Sequence, residues 1–564
     1  MRRLELGLFV KYRKIIKTSL LIALSATLAV LTGCQQDTAN ADENVPLSSA
    51  EITANLGSKL VTTRATAQKT ATKTYQAALA NTAYTVDTPY VKVNPYGTSP
   101  LTALVLFTTT EKAKVSYTVV GKTNGTSITN TVNGGYQTQH QVPVVGLYAG
   151  NNTVKITVTY ENGTTTTKTL AITTTSTLPK YIASTKITVS KSNKSEMDIG
   201  DNKLTFLVRT TKESFAVDAD GAVRWYSTLY VQHMLEPISN GHYLMLTKND
   251  QSGTTYNDLV ETDLLGRVYK EYTFDTKTGH SENANSDKTV IHHDILELPN
   301  HDLLATVSDG SKYVEDTMVV ISHTTGKVTQ VIDLKKLLPK SMYESYKASS
   351  DGTVDWFHQN AVDYDSNDGS IIISGRNQDM IMKLDLKTAK IKWIYSGKKK
   401  SSWPEKYRSL LLTGTAGTTI TGGQHGVTLL SDDNGDPSSE NILLYNNNID
   451  VTNGDASTSG KYSEGVQYHI DTKTMTIKQT WSYGKTLGKA NFTEVIGYTQ
   501  KLTGNNYLID FGYKGSGTES NIIEVNGQNQ VYNLTVSNPS AKAYVYRAYR
   551  LPVYDSSYVF DLNE

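Results

Sequence analysis

From about residue 185 to the end of the chain, apolar and polar positions alternate in short runs broken by tight turns. A period of two is the pattern of a half-buried strand, whereas a helix would repeat every three to four residues. One unit recurs: an apolar strand, a polar turn, then a second strand that often ends in an aromatic residue. The copies are FAVDADGAVRWY, LVETDLLGRVYKEY, VVISHTTGKVTQVI, MKLDLKTAKIKWIY, YHIDTKTMTIKQTW and IIEVNGQNQVYNL. Each predicts a β-hairpin. Six such hairpins, alternating with other strand segments, predict a six-bladed β-propeller over residues 185–564. The last run, AYVYRAYRLPVY, is expected to help close the ring, because closure removes exposed sheet edges. Trp225, Trp393 and Trp481 fall at matching places in their hairpins and are expected to pack between blades.

Residues 85–180 alternate as well, in KAKVSYTVVG, NTVKITVTYENG and TTTKTLAITT. Asn124-Gly125, Asn133-Gly134 and Asn162-Gly163 are the dipeptides most typical of tight hairpin turns. This region is expected to be a small immunoglobulin-like β-sandwich. It holds a single histidine, His140, and no cluster suited to chemistry, so a structural or docking role is expected. The fold class is therefore all-β: a six-bladed β-propeller preceded by a small immunoglobulin-like β-sandwich.

The N-terminus follows a different pattern. MRRLELGLFVKYRKIIK is basic, and the apolar run TSLLIALSATLAVLTG follows it, ending at Cys34. That is the shape of a secretory signal. Leu31-Thr32-Gly33-Cys34 looks like a bacterial lipobox, so residues 1–33 are expected to be a lipoprotein signal peptide and Cys34 the lipidated residue. Cys34 is the single cysteine of the chain, with no disulfide partner and no metal-ligand companion. Residues 34–84 are polar and are expected to form a lipid-attached tether with some helix. The expected location is the cell membrane, facing the extracytoplasmic side. No other apolar run is long enough to span a bilayer.

Composition narrows the function. A net charge of +1 over 564 residues argues against a nucleic-acid partner, which requires a basic face to displace counterions. There is no HExxH, no CxxC, no EF-hand loop, no P-loop, no GxSxG and no GxGxxG between a strand and a helix. Nucleotide-dependent chemistry is not indicated and no cofactor is expected, while a metal built from His293, His358 and His425 stays open.

Histidine carries the chemical signal. His233, His293, His358 and His425 stand at one phase of the repeat, at steps of 60, 65 and 67 residues. Each is followed by a polar turn and a short apolar strand. In a propeller, equivalent positions of successive blades converge on the axis, so these imidazoles are expected to meet. Imidazole suits proton transfer, nucleophilic attack or metal binding near neutral pH. Alternation along a strand would point His292 and His293 to opposite faces, against a shared ion, and would put His358 and Asn360 on the same face. Arg376, at the end of IIISGR, is one hairpin away from His358. A guanidinium beside imidazoles suits a planar oxyanion.

The succession HHD, DWFHQN, SGRNQ and QHGV followed by NILLYNNN, after a signal and a small β-domain, resembles the bacterial arylsulfate sulfotransferases. The resemblance covers essentially the whole chain after residue 84. It implies transfer of a sulfuryl group from an aryl sulfate donor to an acceptor phenol, by a ping-pong route through an N-sulfated histidine, without a nucleotide donor. On this resemblance His425 corresponds to the nucleophile, and His293 and His358 to the other active-site histidines. Asn360 and Arg376 match residues that contact the sulfuryl and bridging oxygens. Some family members from Gram-negative bacteria carry a disulfide near the site, which a chain with one cysteine cannot form. Three other readings remain open from sequence: an aryl sulfatase with water as acceptor, a non-catalytic ligand-binding propeller lipoprotein, and a metal-dependent propeller enzyme. A homodimer is compatible with the sequence but not specified by it.

Overall fold

The computed structural model describes residues 44–564, except 210–211, 250–252, 282–286, 431–435 and 437. The expected signal peptide and Cys34 lie outside the described residues.

Among the described residues, six sheets of four or five strands form the six blades expected from the repeat, antiparallel throughout except for the short edge strand Thr413–Gly414, which pairs in parallel in blade 5. Blade 3 is the plain case, with strands Ile291–Glu297, Leu303–Val307, Thr317–Ile321 and Val328–Asp333 in sequence order. Blade 4 repeats it with Gln359–Asp365, Ser370–Gly375, Met380–Asp385 and Ile391–Ser396. Both ends of the propeller close the ring. The C-terminal strand Arg547–Pro552 pairs with Lys203–Val208 and completes blade 1, while Lys186–Ser192 pairs with Asn529–Ser537 and adds a fifth strand to blade 6.

The first strands of the blades are stitched together around the axis. Asp294 of blade 3 pairs with Arg547 of blade 1 at 2.9 Å, and its other oxygen accepts the Val362 N–H of blade 4 at 3.0 Å. Asp363 of blade 4 accepts the Leu429 N–H of blade 5 at 2.7 Å. Further out, the three matching tryptophans each reach into the next blade. The indole N–H groups of Trp225, Trp393 and Trp481 donate to the Leu264 carbonyl, the Glu440 carboxylate and the Gly527 carbonyl. A hairpin-end aromatic thus supplies apolar area to its own blade and a polar tip to the neighbour.

The sandwich is built on one long strand, Thr102–Val119. Its first half pairs with Tyr90–Val93 and Gln137–Val145, and its second half with Ile128–Thr131 and Asn151–Tyr160. One strand therefore serves both layers, with the register break between Thr108 and Ala113. The Asn124-Gly125 and Asn162-Gly163 turns join strands that pair with each other. Asn133-Gly134 instead joins two strands that both pair with the long one.

Residues 46–84 depart from the expected tether. Pro46–Glu564 is one compact unit. Lys59–Val61 adds a strand to the outer edge of blade 2. Helix Ser49–Leu56, started by a Ser48/Glu51 capping box, buries Ile52 and Leu56. Helix Thr63–Ala80 buries Tyr75, Ala78 and Leu79, and Arg64 binds Asp258 at 2.9 Å. The apolar residues are few, but they fall at spacings of three and four, so a polar segment still has one sticky face.

Candidate active site

The four phased histidines sit at the start of the first strands, and the backbone there is irregular. His233, His293 and His358 have φ of +59°, +56° and +52°. In blade 5 the left-handed residue is Gly426 (+61°), and in blade 6 it is Ile496 (+64°). The pairing register also slips there in blades 3, 4 and 5. A bulge re-aims the side chain beside it, and a left-handed non-glycine residue carries strain of about 1–3 kcal/mol.

The bulge overturns two expectations drawn from strand alternation. His292 and His293 do not point apart: their Nδ1 atoms are 3.0 Å from each other. His358 and Asn360 do not share a face. His358 lines a cavity, whereas Asn360 does not. Asn360 is fully buried and donates from Nδ2 to the Gln424 carbonyl at 2.7 Å, immediately before His425.

The cavity has a volume of about 600 Å³ and is walled in part by His293, His358, Arg376, His425 and Tyr546. Rings crowd at its base. His293 stacks on His233 at 4.8 Å and meets His358 edge-on at 4.7 Å. His233 lies behind His293, and its Nδ1 accepts the His293 backbone N–H at 3.1 Å.

The two histidines that blades 4 and 5 bring to the cavity wall carry opposite electrostatics. His358 Nδ1 lies 2.6 Å from Asp355 and 2.7 Å from Glu315. Burial works against its charge, but the Asp355 carboxylate and then that of Glu315 outweigh it, holding His358 well above the ordinary imidazole range. His425 is pushed down to about 3, first by burial and next by the Arg376 guanidinium, with its Asn447 hydrogen bond opposing. Its Nδ1 lies 2.7 Å from Asn447 Oδ1 and 3.0 Å from the Gly423 carbonyl. Both partners accept, so Nδ1 bears the proton and Nε2 the lone pair. Nε2 receives only a long 3.3 Å contact from the Ile496 N–H. His293 is lowered well below the usual range, first by burial and then by charge on His358.

Arg376 follows the strand that pairs with Gln359–Asp365, and its N–H donates to the His358 carbonyl at 3.2 Å. Its Nη1 donates to Asn377 at 2.8 Å, while Nε is buried with no hydrogen-bond partner. A buried guanidinium N–H with nothing to bind is a donor in waiting.

Three residues that shape this site escaped the sequence reading. Asp355 stands three before His358 within DWFHQN, and a carboxylate one turn from a histidine was a usable signal. Asn447 lies inside the run NILLYNNN, where three consecutive asparagines hid which one matters. Glu315 had no local signal at all. It reaches His358 from blade 3 with a left-handed backbone (φ +57°).

Comparison with known proteins agrees along most of the chain. The family model described as Arylsulfotransferase (ASST) matches residues 189–547, and the one described as Arylsulfotransferase Ig-like domain matches residues 90–175. A protein described as arylsulfate sulfotransferase AssT from Lelliottia amnigena is 25% identical over 527 residues, covering 76% of this chain and 84% of that protein. One of the same description from Escherichia coli O6:H1 is 24% identical over 534 residues, covering 75% and 84%. Among solved structures, the periplasmic gluconolactonase PpgL of Pseudomonas aeruginosa is 8% identical with a TM-score of 0.32, covering 78% of this chain and all of that one.

Proposed function

The chain belongs to the arylsulfotransferase family, and we propose that His425 carries a sulfuryl group from an aryl sulfate to a phenol in two steps. The observation that carries this reading is the neutral His425, with its Nδ1 proton tied to Asn447 and Gly423 and its Nε2 turned to the cavity side, beside Arg376.

In the first step the Nε2 lone pair forms a bond to sulfur while the bond from sulfur to the phenolic oxygen breaks. Negative charge collects on the departing oxygen. His358 is the group built to meet it. Its Nδ1–H is held by two carboxylates, which leaves Nε2–H as the donor to the phenolate. The second step reverses the traffic: neutral His358 takes the proton of the incoming phenol, whose oxygen attacks sulfur and frees His425. Dividing the transfer replaces one difficult displacement with two easier ones, and one acid–base group contributes roughly 100-fold or more.

Arg376 binds sulfuryl oxygens with its unpartnered Nε–H and with the fork of its guanidinium. One fixed donor at developing charge is worth about 3–4 kcal/mol. His293, kept neutral, lies against His358 and offers a hydrogen bond without competing for the proton. Asn360 acts through the Gln424 carbonyl as a positioning residue for His425, in place of the direct sulfuryl contact the resemblance implied. The protein is exported and anchored through lipid on Cys34. Among the described residues no helix is long and apolar enough to cross a membrane, so such an anchor would hold the enzyme at the surface. Mass spectrometry of the mature N-terminus checks this: loss of the lipid mass in Cys34→Ser is expected.

The activity test mixes the protein with 4-nitrophenyl sulfate, with and without phenol. Nitrophenolate release that rises with phenol, with phenyl sulfate formed in equal amount, is expected. Release indifferent to phenol would mark a sulfatase, and no release would mark a binding propeller. Rapid quenching followed by peptide mapping is expected to find the sulfuryl mass on the peptide containing His425.

A further inference from the structure

The bulge that turns His293 into the cavity also creates a ligand set that strand geometry would forbid. His292 Nδ1 and His293 Nδ1 stand 3.0 Å apart. A tetrahedral zinc ion with nitrogen ligands at about 2.0–2.1 Å sets such atoms roughly 3.3 Å apart, so the pair needs to open by only a few tenths of an ångström. Glu315 Oε2 lies 3.7 Å from His293 Nδ1, and the three ligand atoms all lie within 4.8 Å of one another. All three residues are buried, and His293 opens on the cavity.

We propose that His292, His293 and Glu315 bind a divalent transition-metal ion of the zinc class, and that the bound ion switches sulfuryl transfer off. The inhibitory half rests on the function proposed above; the binding half does not. Two imidazoles and one carboxylate select zinc, copper or nickel over calcium or magnesium, which require a shell of oxygen. Only one proton fits between the two facing Nδ1 atoms; when the ion takes its place, that proton moves to Nε2 of the same ring, and both imidazoles coordinate as neutral Nε2–H tautomers. The fourth coordination position is left to water.

Inhibition follows from sharing. Glu315 Oε2 is also 2.7 Å from His358 Nδ1. An ion that claims Glu315 leaves His358 with Asp355 alone, and it fixes His293 at the same moment. One ion thus removes a carboxylate from the proton donor and immobilises its neighbour. A second set, Glu315, Asp355 and His358, shares the same carboxylate, and His292 is the residue that distinguishes the two.

The test uses the whole folded protein, freed of metal by chelator, and titrates it with Co²⁺. One Co²⁺ per chain is expected, with the intense visible bands of a four-coordinate site, and Zn²⁺ is expected to bleach them. His292→Ala is expected to weaken Co²⁺ by more than about 100-fold, since even groups that only support a ligand are worth 10–100-fold. Glu315→Gln, the second variant, is expected to weaken Co²⁺ too. Absence of such bands in the unmodified protein overturns the proposal, as does Co²⁺ binding that survives both substitutions. In the 4-nitrophenyl sulfate assay, Zn²⁺ is expected to inhibit the unmodified protein and to leave His292→Ala, assayed without metal at near-normal rate, unaffected. Zn²⁺ inhibition of equal depth in His292→Ala overturns the inhibitory half. A chain that binds Co²⁺ as described but transfers no sulfuryl group upholds the metal site and sinks the function proposed above.

Discussion

Blades 4 and 5 bring the same residue to the same place and make it do opposite things. His358 and His425 stand at one phase of the repeat, each beside a bulge in the first strand of its blade. His358 is gripped by Asp355 and Glu315 and kept charged; His425 is gripped by an amide and a carbonyl, faces Arg376, and is kept neutral. The repeat supplies the position of an imidazole. Its protonation is decided by what neighbouring segments deliver to Nδ1, a carboxylate or a neutral acceptor. A site that needs a nucleophile and an acid from one kind of side chain can therefore be made by varying partners alone.

The strongest way to break this comparison is to remove the nucleophile. His425→Asn is expected to keep the fold, by circular dichroism, and to lose at least about 1,000-fold in transfer rate, as single members of a covalent catalytic set do. Arg376→Ala comes next, with a loss in kcat of roughly 100- to 1,000-fold for one missing donor to the sulfuryl group. Restoring charge with Arg376→Lys is expected to recover only part of it, because lysine lacks the fork.

Asp355→Asn sharpens the contrast without removing a reacting group. The active form of His358 is protonated, and its pKa, raised well above the ordinary imidazole range chiefly by the Asp355 carboxylate against burial, favours that form. Loss of one carboxylate lowers that pKa, so the alkaline fall in kcat is expected at a lower pH. The expected loss is about tenfold or more on the alkaline limb, with rates approaching those of the unmodified enzyme on the acid side. An unchanged alkaline limb would refute the charge assigned to His358. Asn447→Leu should cost about tenfold, the value of one hydrogen bond, by freeing the wrong tautomer of His425. That loss should appear in kcat more than in KM.

The smallest effect is on stability. His425 is neutral when folded, down to about 3, and titrates near 6.5 when unfolded. Its contribution is present above pH 6.5 and is lost as pH falls, by at most about 1.4 kcal/mol per pH unit. His358 is raised instead, so its contribution is present below 6.5 and lost as pH rises through its folded value. Urea melts at pH 7 and pH 5 are expected to show a smaller acid loss in His425→Asn than in the unmodified protein. Equal losses in the two proteins would contradict a buried neutral His425.

Much of this was legible in the sequence because it is local and periodic. Six hairpins at regular spacing announce six blades, and the matching tryptophans announce contacts between them. Four histidines at one phase announce convergence. The resemblance carried by HHD, DWFHQN, SGRNQ and QHGV led to the family. What misled was also local: perfect strand alternation, applied to His292-His293 and to His358 and Asn360, fails wherever a residue adopts positive φ. The polar segment 46–84 read as a tether because two or three apolar residues per helix barely register against its composition.

The chain by itself determined the strand period, the blade count and which imidazoles gather at the axis, since all three follow from spacing along a regular repeat. Only the tertiary structure decided that His292 and His293 face each other, that Asn360 sits behind His425, and that Glu315 reaches from blade 3 to charge His358. Those outcomes depend on bulges and on contacts between residues dozens of positions apart. Charge on an imidazole is set by the atoms within about 3–4 Å of it, and no spacing along a chain specifies which atoms those will be.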